Sequence, residues 1–282
     1  MTARIFDTTL CSLGEGPLWH PTRQSLFWFD INGHRMFEKH EGHLTSWQFD
    51  TFVSAAGWVD DTHLLIAKKG ALISFDLETS AEQVLHALED DNPITRPNDG
   101  RADPWGGFWI GTMGINLEPK AGTIYRYYKG ELRPLFTEWT IPNATCFSPC
   151  GSFAYFTDTP VAKIWRQRLD RDGWPDGEAE LFLDLSKGDY RPDGAVVDSR
   201  GHIWIAHYGY SKVTEFSAEG NALQVIHTPA SQTTCPAFGG VDLSTLYVTS
   251  ARQQLDAPAD ADGQVIEVSL DVRGQQEHQV IL

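Results

Sequence analysis

The stretch RPNDGRADPWGGFWIGT, residues 96–112, sets a polar cluster framed by Pro97 and Gly106 directly against an apolar run that reads as a buried strand. A single cluster of this kind is a turn, whereas several in one register make a site. The pattern recurs. IPNATCFSPCGSFAYFTD at 141 and RPDGAVVDSRGHIWIAH at 191 align with it on prolines 97, 142 and 192. In all three a glycine follows nine residues after the proline, at Gly106, Gly151 and Gly201. LGEGPLWHPTRQSLFWFD at 13 fits the same frame with Gly14 in the proline place, lacking only the turn glycine. Weaker copies near AAGWVDDTHLLIAKKG and CPAFGGVDLSTLYVTSA put unit starts near 14, 56, 97, 142, 192 and 236.

Six units of roughly 40 to 50 residues, each built of short strands such as GFWIGT, GTIYRYYKG and ELRPLFTEW, are the signature of a β-propeller. The expected fold is all-β, one six-bladed propeller domain over residues 1–282 with about four antiparallel strands per blade. Chain-terminal strands are expected to share one blade, because a ring left open would expose strand edges.

Composition agrees with a large core and narrows the partners. Hydrophobic residues are 41% and charged residues 21% of the 282, too apolar for a disordered chain. A formal charge of −16 argues against nucleic acid, whose sequence-independent binding needs clustered Lys and Arg. No stretch approaches the roughly 18 apolar residues of a membrane span, and the N-terminus does not read as a signal peptide, so the expected location is cytoplasmic. Cysteines 11, 146, 150 and 235 form no CxxC pair and are expected to be reduced, half-buried thiols.

The residue after the proline position is Glu15, Asn98, Asn143 and Asp193 in four of the six units. Equivalent positions in a propeller converge on its axis, so residues far apart in sequence meet there. Asn and Asp after Pro also form turns, but Glu is not a favoured turn residue, and four oxygen donors in one register point to a shared site. Carboxylates and amide carbonyls without His or Cys suit a hard divalent cation such as calcium, magnesium or manganese, with zinc less favoured. The ten histidines show no metal-site spacing, and His207 is the one nearest the frame.

These residues together resemble the SMP-30/gluconolactonase/LRE-like (regucalcin-like) family, six-bladed propellers that hydrolyse sugar lactones with a bound divalent metal. LGEGPLW at 13, RPNDGRADPWGGFWIGTMG at 96, IPNATCFSPCG at 141, RPDGAVVDSRGHIWIA at 191 and FGGVDLSTLYVTSAR at 238 carry the resemblance, which runs end to end. It implies Glu15, Asn143 and Asp193 as metal ligands, Asp193 also as general base, and Arg96, Asn98 and Asp99 as substrate-binding residues. A mutual surface ion pair is the alternative for Arg96 and Asp99.

Two features depart from the family. Tyr190 and Arg191 stand before the PDG where relatives carry small or apolar residues, and IAHYGYSKV brings His207, Tyr208 and Tyr210 toward the same rim. Tyr190, Arg191 and His207 are therefore further candidates for substrate contact, with a salt bridge to a surface acid as the alternative for Arg191. The implied activity is hydrolysis of an aldonolactone to an aldonic acid by a monomer or weak homo-oligomer. Aryl ester or phosphotriester hydrolysis and a non-catalytic binding scaffold remain as alternatives on the same fold.

Overall fold

The computed structural model describes residues 2–282 and contains six four-stranded antiparallel sheets arranged as the blades of a propeller. The first strands of the blades are Gly14–His20, Val53–Trp58, Thr95–Ala102, Pro142–Phe147, Pro192–Val197 and Gln232–Gly239. Neighbouring first strands touch one another around the ring and so define its axis. The chain closes the ring as expected. Arg4–Asp7 pairs antiparallel with Val265–Ser269 and becomes the outermost strand of the blade begun by Gln232–Gly239.

Burial follows from position within a blade. Second strands such as Ser25–Asp30 (SLFWFD) and Phe108–Gly114 (FWIGTMG) are buried at every residue, because adjacent blades cover both of their faces. That explains their near-continuous apolar sequence, where a one-sided strand would alternate. Outer strands such as His43–Gln48 lie mostly in solvent. The turn after each first strand accounts for the repeated glycine. Gly106, Gly151 and Gly201 have φ of 88°, 70° and 87°, left-handed values open to glycine at little cost. The first blade has no glycine there, and Gln24 takes the left-handed conformation at φ 53°. Asp103 and Asp198 occupy the same place in the frame and accept two backbone N–H groups each, closing their hairpins.

Two sequence alignments need correction. The strand ladders put Val53 and Thr233 in the proline place of the weak units, where the sequence suggests starts near 56 and 236. Neither position carries the proline that marks the other units. Three of the four cysteines, Cys11, Cys146 and Cys235, are fully buried rather than half-buried, Cys150 is exposed, and all four are free. Among the described residues no helix is long and apolar enough to cross a membrane.

Beyond the last blade the chain crosses one end of the ring. Gly274 N donates to Leu243 O, Val280 N to Trp58 O and Ile281 N to Gly106 O, and Glu277 pairs with Arg101. Arg101 also reaches Ala195 O and Pro236 O, so it ties the tail to three first strands. The opposite end remains open as a cavity.

Candidate metal and substrate site

Each first strand carries one extra residue near its start, a bulge where the ladder slips. Bulges bend a strand and re-aim side chains, and here they sit at the mouth of the ring. Glu15 and Asn143 are each followed by a left-handed residue, Gly16 at φ 55° and Ala144 at φ 58°. A Cβ on Gly16 would stand 2.2 Å from Ser54 O, so only glycine fits. Ala144 has the same φ with a Cβ, a conformation that costs roughly 1 to 3 kcal/mol and is kept where structure enforces it.

The result is a cavity of about 420 Å³ at the open end, lined by Glu15, Arg96, Asn98, Asn143, Arg191 and Asp193 among others. That volume lies within the roughly 300 to 1,000 Å³ of small-molecule sites. Six of the nine sequence-derived candidates thus line this one cavity, contributed by four blades.

A chain of hydrogen bonds fixes the amides. Arg96 Nη1 donates to Pro97 O (2.9 Å) and to Asn98 Oδ1 (3.0 Å). Asn98 Nδ2 donates to Pro142 O (3.1 Å) and to Asn143 Oδ1 (2.8 Å). Asn143 Nδ2 donates to Thr159 Oγ1 (2.8 Å), whose hydroxyl donates to Pro192 O (2.8 Å). With its amide nitrogen committed to Thr159, Asn143 presents oxygen to the cavity and retains one free lone pair there.

The carboxylates are treated differently. Glu15 accepts one bond, from the N–H of its neighbour Gly16 (3.1 Å), and Asp193 accepts none from the protein among the described residues. Neither forms an ion pair. Burial, then the charges of Asp193 and Asp99, pushes Glu15 well above the usual carboxylate range. Burial and Asp99 do the same to Asp193, against the opposing pull of Arg191 and Arg96. Two buried acids with unused oxygens, beside an amide oxygen held in place, fit a hard divalent cation. Arg96 is lowered to about 10 by burial, offset by Glu15 and Asp193, and stays charged at neutral pH.

Three candidates do not line the cavity. Asp99 is buried, and its Oδ2 accepts from Thr145 N (2.7 Å) between two blades. It makes no ion pair with Arg96, and burial is the main reason its carboxyl is raised. His207 shares the strand face of Ile203 and Ile205, so alternation turns it into the packing between blades. Its Nε2 shares a hydrogen bond with Thr214 Oγ1 (3.1 Å), and burial lowers it to about 3, which keeps it neutral. Tyr190 packs edge-on against His207 at 5.1 Å and carries Lys212 Nζ over its ring at 4.3 Å.

The cavity wall also includes residues the repeat frame cannot reveal. Thr159, Asn32, Asn116, Gln253 and Gln254 come from loops outside the frame, while Tyr208 comes from the IAHYGY rim. Elsewhere, Asp198, His202 and Glu215 gather their ligand atoms within 4.8 Å. Arg200 already supplies the cation there, with Nη2 at 2.6 Å from both Asp198 Oδ2 and Glu215 Oε1. Trp204 Nε1 and Gln224 Nε2 complete that cluster as part of the blade.

Comparison with known proteins finds relatives over most of the chain. A 6-deoxy-6-sulfogluconolactonase of Pseudomonas putida is 32% identical over 254 residues, spanning 89% of this chain and 87% of its own. A pentonolactonase of Haloferax volcanii is 33% identical over 264 residues, 91% of this chain and 87% of its own. The crystal structure of a calcium-binding regucalcin from Agrobacterium tumefaciens superimposes with a TM-score of 0.96 at 40% identity, covering 100% of this chain and 98% of the other. The sequence profile of the SMP-30/gluconolactonase/LRE-like region matches residues 13–252, and the chain belongs to that family.

Proposed function

We propose that the protein hydrolyses a sugar lactone to the corresponding aldonic acid, with a divalent cation, calcium first, held by Glu15, Asn143 and Asp193. One observation carries the reading: three oxygen-bearing side chains from three blades line the same cavity, and the Asp193 carboxylate there accepts no hydrogen bond from the protein among the described residues. Relatives named as lactonases over most of their length support the substrate class.

When bound, the cation would polarise the lactone carbonyl and offset the negative charge that develops on its oxygen. The rest falls to side chains. A carboxylate oxygen of Asp193 takes a proton from the attacking water as the new C–O bond forms at the carbonyl carbon. The same proton passes to the ring oxygen when the ester C–O bond breaks, giving an alcohol and a carboxylic acid on one open chain. Asn98 and Arg96, tied to each other, form a rigid shelf for sugar hydroxyls, Arg96 through its remaining N–H donors and Asn98 as an acceptor through the second lone pair of Oδ1, since both its N–H groups are committed. Their mutual bond fixes orientation before substrate arrives, which is where positioning groups help most.

Asp193→Asn keeps an oxygen but not the basicity. Turnover of an aldonolactone at saturating metal is expected to fall by roughly 10² to 10⁴, the range for a missing general base. Near-normal turnover would remove Asp193 from that role. Hydrolysis that survives exhaustive chelation, or that favours phenyl acetate or paraoxon over every aldonolactone, would sink the wider reading.

A further inference from the structure

We propose that the preferred substrate is a sugar lactone with an anionic group at the end remote from its carbonyl, and that the guanidinium of Arg191 binds that group. The inference rests on the lactonase reading and adds the chemical class of the substrate.

Arg191 directly precedes Pro192, where the innermost strand begins, and lies two residues before Asp193. Two residues of extended chain span about 6.6 Å, on the scale of a sugar ring. A lactone with its carbonyl beside Asp193 therefore directs its far end toward Arg191 and the rim. Both residues line the same cavity.

The guanidinium is held but not satisfied. It lies over the ring of Tyr208, 5.1 Å from the centroid. Tyr208 is itself fixed, its N–H donating to Arg191 O (2.9 Å) and its hydroxyl accepting from Gln253 Nε2 (3.2 Å). Stacking occupies the flat face of an arginine and leaves its edge donors free, the arrangement that grips planar or tetrahedral oxyanions through paired hydrogen bonds. Among the described residues, no carboxylate comes within ion-pair distance of Arg191 and no protein acceptor bonds its side chain. Arg191 is exposed and stays without an acidic partner on a chain with 38 Asp and Glu against 22 Lys and Arg.

Charge across the cavity points the same way. A net charge of −16 repels anions from the molecule as a whole, so an anionic substrate needs local compensation. Arg96 and Arg191 share the wall with Glu15 and Asp193. Once a dication offsets the two acids, two guanidinium charges stand against the one remaining nearby carboxylate, Asp99, which is buried outside the cavity. Gln254, also on the wall, has no hydrogen-bond partner for its side-chain amide among the described residues and offers a further donor at the rim.

The test compares kcat/KM of the metal-loaded wild type, Arg191→Met and Arg191→Lys on four lactones. These are neutral D-glucono-1,5-lactone and its counterparts bearing a 6-sulfonate, a 6-phosphate or a 6-carboxylate. The wild type is expected to favour at least one anionic lactone over the neutral one. Arg191→Met should lose roughly 10 to 100-fold more on that substrate than on the neutral one, as befits one charge-assisted contact. Arg191→Lys should keep part of the preference, since it retains charge but not the fork. The anion showing the steepest differential loss identifies the group. Equal losses on neutral and anionic lactones, or a wild type that prefers the neutral one, would overturn the role of Arg191 while leaving lactone hydrolysis intact. A wild type that hydrolyses none of the four would instead overturn the lactonase reading on which the proposal rests.

Discussion

Replacing Asp193 by Asn should make the metal-free protein more stable, although it removes a residue placed at the heart of the site. The carboxylate accepts no hydrogen bond from the protein among the described residues, so the amide breaks no existing contact. What it removes is an ionisable group whose pKa burial and Asp99 raise well above the carboxylate range. In the folded state such a group holds its proton longer than in the unfolded chain. Its contribution to stability is complete below the unfolded pKa of about 4 and is lost as pH rises through the raised folded value. Metal-free wild type at pH 8 therefore bears a cost, either of charging this buried acid or of holding it protonated at a pH where the unfolded chain ionises it. Asp193→Asn does not. In chelator, the variant should melt above wild type at pH 8, and the difference should shrink as pH falls toward 4.

Calcium should reverse the order. At a free concentration 100 times its dissociation constant, a ligand specific to the folded state adds about 2.7 kcal/mol. An unfolding entropy of roughly 2.1 cal/mol/K per residue over 282 residues gives about 0.6 kcal/mol/K, so wild type should gain about 4 to 5 °C. A hundredfold loss of affinity in Asp193→Asn leaves about 0.4 kcal/mol at the same calcium, a gain under about 1 °C. Differential scanning calorimetry in chelator and in calcium, at pH 5 and pH 8, measures all four cases. A variant that melts below wild type in chelator at pH 8, or that keeps the full calcium gain, would refute the reasoning.

Other outcomes follow from neighbouring contacts. Thr159→Val frees Asn143 Nδ2 from its fixed partner and should weaken calcium binding by roughly 10 to 100-fold in calorimetric titration, the range for residues that orient a metal ligand; unchanged affinity would show that Thr159 does not orient the amide. Glu15→Gln should also weaken calcium, with activity recovering partly as calcium is raised, because the amide keeps one oxygen; an affinity equal to wild type would exclude Glu15 from the ligand set. Glu277→Ala strands the buried Arg101 and should cost about 3 to 5 kcal/mol in urea unfolding, whereas a loss under about 1 kcal/mol would mean that the tail does not anchor the closed end.

The repeat could be read from the sequence because its markers are backbone devices. Pro142 and Pro192 start strands, Pro97 is the third residue of its own, and Gly106, Gly151 and Gly201 supply the left-handed turns, so their spacing follows the blade itself. Where a blade does without them the frame is lost. Val53 and Thr233 hold the proline place with nothing to announce it, and that is why those two units are misaligned by sequence. The same reasoning explains His207. From the sequence it is a polar residue next to a tyrosine-rich rim, but strand alternation pairs it with Ile203 and Ile205 and leaves Tyr208, one residue on, to face the cavity. Asp99 is lost to view for a related reason, since the bulge that aims Asn98 at the cavity buries its neighbour against Thr145.

Residues on the repeat frame and residues off it therefore do different work. Glu15, Asn98, Asn143 and Asp193 occupy equivalent bulged positions, so the ring that closes the fold also sets their mutual geometry, and moving any one of them requires moving a blade. Thr159, Tyr208 and Gln253 lie outside that frame, in loops and strand ends that each blade can vary without disturbing its ladder. Loops on a rigid scaffold tolerate change more readily than the elements they join. Arg191 stands at the junction, tied to Tyr208 through the backbone and two residues from Asp193. A side chain there can alter which lactone is held while the oxygen cluster below it stays in place, and this is the separation that the paired neutral and anionic substrates measure.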